Sequence, residues 1–120
     1  MAESHELGKA GEKLAADLLK SKGYTILEQN WRNYHSEIDI IALFKDEIVF
    51  VEVKTRSSTF MAEPEFTVNR NKQRLLMNAA SAYIKYKCYE LDARFDIISI
   101  VFSKEVPNIE HLENAFYASL

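Results

Sequence analysis

The segment from Ser36 to Arg56, SEIDIIALFKDEIVFVEVKTR, constrains the fold of this chain more than any other. It divides into two runs rich in Ile, Val and Phe, residues 37–44 and 48–55, joined around Lys45, Asp46 and Glu47. Both read as strands. A strand with alternating apolar residues keeps its charge on the wet face or at its tips. Here Asp39, Glu52 and Lys54 stand among Ile38, Ile40, Ile41, Val51 and Val53.

Register sharpens the anomaly. A hairpin with a two- or four-residue loop centred on Lys45-Asp46 sets Phe44 opposite Glu47. Carried along the strands, it sets Asp39 opposite Glu52 and Glu37 opposite Lys54. Facing residues of an antiparallel pair share one face, with Cβ atoms ~5 Å apart, so all four charged groups converge. Two carboxylates at that separation repel by about 3 kcal/mol at an effective dielectric near 20. A positive group must offset this. Lys54 is one candidate, and a divalent cation is the better one, because Mg²⁺ is held by a carboxylate or two, waters and substrate phosphate. A plain surface hairpin with Glu37–Lys54 as an exposed ion pair, worth less than about 1 kcal/mol, leaves the facing of Asp39 and Glu52 unexplained. Lys-Asp lacks the Gly or Asn that a two-residue turn favours, and a three-residue loop would break the convergence.

At 120 residues the chain reads as one domain, 1–120. Apolar residues at 48% and charged residues at 28% exclude disorder, and three Gly and two Pro leave little room for linkers. The net charge of −3 disfavours passive wrapping of nucleic acid. It leaves open an enzyme with a local basic patch beside an acidic metal site. The single cysteine, Cys88, cannot form an internal disulfide or a zinc site alone, and is expected to be small and partly buried. The N-terminal segment lacks the apolar core of a signal peptide. The runs IIALF and IISIVF are too short to span a bilayer. The expectation is a soluble, cytoplasmic protein without membrane contact.

Residues 4–22 predict a helix, with Leu7, Ala10, Leu14, Ala15, Leu18 and Leu19 at helical spacing, Ser4 as its cap and Gly23 as its stop. Glu12 borders the apolar stripe. Gly8 and Gly11 weaken the helix by up to ~1 kcal/mol each, so a close approach to another element is expected. Residues 24–31 predict a strand in which Ile26, Gln29 and Trp31 break strict alternation, and 32–35 a polar loop. His35 reads either as a proton shuttle or as a plain loop histidine; His5, His35 and His111 are scattered. Residues 56–65, with Ser57, Ser58 and Pro64, form a long loop that either orders over a substrate or merely connects.

Residues 68–86 predict the second helix, burying Leu75, Leu76, Ala79, Tyr83 and Ala82, with Lys72 on the same side. Arg70, Lys72 and Arg74 crowd its start. That opposes the helix dipole but suits a bound phosphate. Residues 93–103 predict a buried parallel strand, and 109–118 an edge strand with Phe116 and Tyr117 packing back. The fold class is therefore α/β: a mixed central sheet of four to five strands flanked by helices, in the order αβββαβ(β), with a right-handed crossover.

Asp39 followed by Glu52-Val53-Lys54 has the form D…E-x-K and is similar to the PD-(D/E)XK nuclease superfamily. The runs GEKLAADLLKSKGYTILEQNWR, SEIDIIA, VFVEVKTR, Lys72 ahead of RLL, and RFDIISI are more specific. They resemble the YraN-like family of small proteins, grouped with the Holliday-junction-resolvase-like endonucleases, from Gly8 through Asn114-Ala115-Phe116. Ser36 stands where that family usually has glycine before E-I-D.

The resemblance implies a restriction-endonuclease-like core and a metal-dependent endonuclease acting on DNA, either structure-selective on branched DNA or nonspecific. It implies Mg²⁺ or Mn²⁺ held by Asp39, Glu52 and the backbone carbonyl of Val53. Lys54 would orient the attacking water or stabilise charge on the scissile phosphate. Glu12 would reach the same site from the first helix, with Glu37 and Lys72 as further contributors. Arg32, Arg56, Arg70, Lys72 and Arg74 are the candidates for holding the DNA backbone, which gives affinity without sequence readout. A small resolvase-like nuclease is expected to form a homodimer. The alternative is a non-catalytic nucleic-acid-binding or adaptor module on the same fold.

Overall fold

The central strands are apolar on both faces, so both faces must be covered. A computed structural model, which describes residues 2–57 and 68–116, shows how. The elements run α1 (Ala2–Ser21), β1 (Thr25–Asn33), β2 (Ser36–Phe44), β3 (Glu47–Ser57), α2 (Arg70–Lys87), β4 (Asp92–Phe102) and β5 (Asn108–Phe116). The five strands lie in sequence order, β1-β2-β3-β4-β5. Only β3 and β4 are parallel; the other neighbours are antiparallel. The α/β class and the mixed sheet stand as the sequence predicts, with β5 completing five strands.

Alternation along the strands sorts the core into two layers. Ala15, Ala16 and Leu19 of α1 pack with Ile40, Ala42, Val49, Val51, Ile98 and Ile100. Leu76, Ala79, Ala80 and Tyr83 of α2 pack with Ile41, Ile48, Phe50 and Phe95. The helices therefore cover opposite faces of the sheet.

Helix α1 ends as Gly23 requires. Gly23 takes φ 94°, and its N–H bonds to Lys20 O while that of Tyr24 bonds to Leu19 O, at 3.0 Å each. This pair of bonds is a Schellman stop, which needs the left-handed region glycine enters freely. The helix begins at Ala2, so Ser4 lies within it rather than capping it. Ala10 is exposed and Ala16 is buried, so the buried stripe is shifted from the predicted one. Gly11 explains the shift. A Cβ there would overlap the Thr55 side chain of β3, whereas one on Gly8 would meet nothing within 4 Å. The helix leans on the sheet at Gly11, which carries the adjacent Glu12 toward the strands.

The expected loop 32–35 contracts to a turn at Tyr34-His35, because β1 runs on to Asn33. The broken alternation in β1 has its cause in a register shift between Ile26 and Glu28. The β2–β3 turn is the two-residue Lys45-Asp46, with Lys45 at φ 54° and its ammonium 5.2 Å from the Phe44 ring centroid. Helix α2 starts at Arg70 under an Asn69 cap that accepts from Lys72 N at 2.8 Å. Leu75 is 43% exposed and does not join the buried stripe; Ala80 takes that place. Cys88 is exposed rather than partly buried, since it is the residue with φ 58° that terminates α2. Of the long loop 56–65, Arg56 and Ser57 belong to β3, and the remainder lies outside the described residues. Phe116 stacks on Phe95 at 5.1 Å, and Tyr117 lies outside the described residues. Among the described residues no helix is long and apolar enough to cross a membrane.

A polar network inside the α1-side layer escapes any reading of the sequence by pattern. Arg94 and Asp96, two positions apart on β4, are 7% and 1% exposed. Arg94 grips Asp96 with Nε at 2.9 Å and Nη2 at 2.8 Å, reaches Glu47 at 3.1 Å and donates to the Tyr24 hydroxyl. Asp96 also meets His111 Nε2 at 2.7 Å and accepts from Asn114 N at 3.0 Å. Lys22 Nζ lies 2.8 Å from His111 Nδ1. The network ties the α1–β1 turn, β3, β4 and β5 together on the sheet face opposite Glu52.

Candidate metal centre and its surroundings

The β2–β3 ladder runs in the expected register, from Phe44↔Glu47 to Ile40↔Val51. It stops there, one pair short of Asp39 and Glu52. The pleat of β2 also breaks at this point. Ile38 packs in the α2-side layer and Ile40 in the α1-side layer, although residues two apart on a regular strand share a face. Asn30 on β1, beside this break, takes φ 54°. The Asp39 carboxylate is thereby freed to turn along the sheet, where it accepts the backbone N–H of Val53 at 2.8 Å. A side chain has replaced the next rung of the ladder.

This substitution has a geometric consequence. A residue in an extended strand sends its N–H and C=O toward the same neighbour. The Val53 carbonyl therefore leaves β3 on the Asp39 side, where strand pairing has ended. Glu52 stands beside it, its side chain 12% exposed. Glu52 lies within hydrogen-bonding reach of Asp39, and its charge opposes ionisation of the Asp39 carboxyl. Burial first, then the Glu52 charge, and last that of Glu12 together raise the Asp39 carboxyl to about 8 against the opposing Val53 N–H.

Lys72 is a positive partner of Glu52. Its Nζ lies 3.0 Å from the Glu52 carboxylate. Burial pulls the Lys72 ammonium down, but the charge and hydrogen bond of Glu52, with Asp39 and Glu37 behind it, outweigh this and leave it raised. Lys54 lies two positions beyond Glu52 on β3 and so on the same strand face, with Arg56 two further on. Both make interactions of their own. Glu37 pairs with Arg32, its register partner on β1, at 3.2 Å.

These groups border a groove of about 230 Å³ lined by His35, Ser36, Glu37, Asp39, Lys72, Leu75 and Leu76. Glu12 is set on the other side of the sheet, in a groove shared with Lys9, Lys13, Ala16, Asp17, Lys20, Gln29 and Asn30. Its charge acts on Asp39. Arg70 and Arg74 turn away. At about 100° per residue they lie roughly 160° around α2 from Lys72, and both are exposed. The structure thus brings Asp39, Glu52, Val53, Lys72 and Glu37 together, sets Lys54 on the strand face of Glu52, brings the Glu12 charge to bear on Asp39 from α1, and leaves Arg70 and Arg74 on a remote face.

Among the described residues no group of three or more His, Cys, Asp or Glu side chains is set to hold a metal ion. Two carboxylates and a carbonyl remain, all hard oxygen donors. Mg²⁺ accepts such a partial set because it keeps several waters. The raised Asp39 carboxyl beside Glu52 marks this edge as short of positive charge. The donor chemistry therefore fits a small divalent cation and does not fit a closed, all-protein cage.

The profile of an uncharacterised protein family, UPF0102, matches residues 11–100. The chain belongs to that family. It is the YraN-like family whose motifs the sequence carries, and the matched span contains Glu12, Asp39, Glu52, Lys54 and Lys72. A UPF0102 protein of Bacteroides thetaiotaomicron is 45% identical over 120 residues, covering 100% of this chain and 99% of its own. One of Parabacteroides distasonis is 42% identical, covering 98% of each. One of Thermodesulfovibrio yellowstonii is 50% identical over 112 residues, 93% of this chain and 96% of its own. Their names state no activity, so function must be argued from the site.

Proposed function

We propose that this protein is a metal-dependent endonuclease that hydrolyses DNA phosphodiester bonds, and that it works in the cytoplasm. One observation carries the reading. The sheet gives up a rung of its ladder so that Asp39 meets Glu52 at the edge where the Val53 carbonyl emerges. A fold gains nothing in stability from two acids forced together at the end of a broken ladder; a cation site does.

Asp39, Glu52 and Val53 O would hold Mg²⁺ or Mn²⁺. When bound, the ion supplies charge for the phosphoryl oxygen and makes a bound water more acidic. The chain's own groups do the rest. Val53 N–H fixes the Asp39 carboxylate. Lys54 orients the attacking water or neutralises charge on the phosphate, a task for which a compact ammonium is suited. Lys72 neutralises Glu52 in the ligand-free chain and turns to the phosphate when that carboxylate is otherwise engaged. Glu12 adds negative potential from behind. A homodimer would let two strands be cut symmetrically, and sedimentation of the full chain tests for it.

The test is cleavage of branched, flapped, single-stranded and duplex DNA in Mg²⁺ or Mn²⁺. The wild type should cut at least one of these, and Asp39→Ala and Glu52→Ala should abolish cutting while remaining folded. Variants that cut as fast as the wild type would end the reading. One observation favours a non-catalytic adaptor instead: Lys72 already satisfies Glu52. On that reading the folded protein binds no Mn²⁺, even with DNA present.

A further inference from the structure

Tyr34 sits at the tip of the β1–β2 hairpin, immediately before the His35 and Ser36 that wall the groove. It is 92% exposed, and its φ is 58°. A side chain other than glycine is disfavoured in that left-handed region, and one so exposed contributes no burial to offset it. A strained, exposed aromatic is therefore a functional candidate rather than a folding one. Leu75, which lines the groove, is 43% exposed although the apolar stripe of α2 begins at the adjacent Leu76. The groove lining thus joins the carboxylates of Glu37 and Asp39 to the apolar Leu75 and Leu76, with Tyr34 next in sequence to its wall.

The cations around it already have partners in the ligand-free chain. Lys72 is held by Glu52 and Arg32 by Glu37, while Lys54 and Arg56 have interactions of their own. The net charge is −3. Capture of a nucleic acid by phosphate neutralisation is weak under these conditions. Stacking of a base on an aromatic ring does not need that charge, and it tolerates any sequence because every base has a π-face. A duplex hides those faces; an unpaired segment offers them.

We propose that Tyr34 is a stacking platform, and that the groove selects nucleic acid whose bases are unpaired beside the phosphate presented to Asp39 and Glu52. Leu75 supplies the facing apolar contact. This deepens the nuclease reading by naming its substrate class, and rests on it for the cut but not for the grip.

The test is fluorescence anisotropy of the full chain with a labelled single-stranded oligonucleotide and a blunt duplex of equal length, without divalent cation. The wild type should prefer the single strand. Tyr34→Ala should weaken single-strand binding by roughly tenfold, the usual scale for one stacked base, and leave duplex binding unchanged. Tyr34→Trp should retain binding. Tyr34→Asn, which suits a positive φ, should raise the melting temperature yet bind as poorly as Tyr34→Ala. The proposal is overturned if Tyr34→Ala changes single-strand affinity by less than about twofold, if single-strand and duplex binding fall together, or if the wild type binds no single strand. Cleavage of the same oligonucleotides in Mg²⁺ separates the two ideas. Cutting that ignores Tyr34 defeats the platform and spares the nuclease. Tyr34-dependent binding without cutting defeats the nuclease and supports the platform.

Discussion

The Val53 backbone N–H donates to the Asp39 carboxylate at 2.8 Å, in the place where the β2–β3 ladder would have continued. That bond holds Asp39 beside Glu52 at the edge of β3 where pairing with β2 has ended. It also sets a pH dependence. Asp39 is raised from 3.8 to about 8, first by burial and then by Glu52. A carboxyl raised on folding stabilises the fold fully below its unfolded pKa, and that stability is lost as pH climbs through the folded value. The wild type should therefore lose stability between about pH 4 and pH 8 from this group. Asp39→Asn should flatten the slope and raise neutral-pH stability by at least about 1 kcal/mol, read by urea unfolding at pH 5 and pH 8.5. A variant no more stable than the wild type at both values would mean the carboxyls are not in contest.

Lys72 competes with any cation for Glu52. Lys72→Met should tighten Mn²⁺ binding severalfold, because it removes that competitor, and should abolish or severely reduce DNA cleavage. Its cost in stability should stay below about 1 kcal/mol, since the ammonium side chain is half exposed. Unchanged Mn²⁺ affinity would show that the ion pair and the cation site are separate.

Gly11 sets how closely α1 approaches β3. Gly11→Ala gains about 1 kcal/mol of helix propensity, but its methyl overlaps the Thr55 side chain, and overpacking of this kind costs about 1–3 kcal/mol. The net effect should be destabilising. Adding Thr55→Ala should restore part of the loss, as a double-mutant cycle by thermal melting would show.

The Arg94–Asp96–His111 network should behave as a structural element independent of the groove. Asp96→Ala leaves Arg94 buried without its main partner, and such losses cost about 3–5 kcal/mol. Burial pushes the Asp96 carboxyl up, but His111, Arg94 and the Asn114 N–H outweigh it and leave it lowered. Its stabilising share is present above the unfolded value of 3.8 and is lost as pH falls through the lower folded one. Acid unfolding should therefore begin at higher pH in Asp96→Asn than in the wild type, monitored by circular dichroism.

Much of the site was legible because strand register is arithmetic. A charge pattern around a short turn fixed Asp39 and Glu52 as neighbours, and a long apolar run placed β4 parallel to β3. Helical spacing at 100° per residue also separates Lys72 from Arg70 and Arg74, although their shared basic character drew them into one patch. Other features had no local sign. The pleat break at Asp39 depends on Ile38 and Ile40 choosing opposite layers. His111 joins Asp96 only because β5 pairs with β4 across a register shift between Phe95 and Ile97. Cys88 ends its helix in a conformation that residue type alone does not favour. These are tertiary choices, made when layers pack.

Isothermal calorimetry of Mn²⁺ binding at pH 7, in buffers of differing ionisation enthalpy, addresses the paired acids most directly. The wild type should bind one ion per chain at micromolar affinity and release close to one proton, the one that the raised Asp39 carboxyl holds at this pH. Glu52→Gln and Asp39→Asn should each lose that binding. Equal binding by Glu52→Gln and the wild type, or no binding by a folded wild type even with DNA added, would contradict a cation site between β2 and β3.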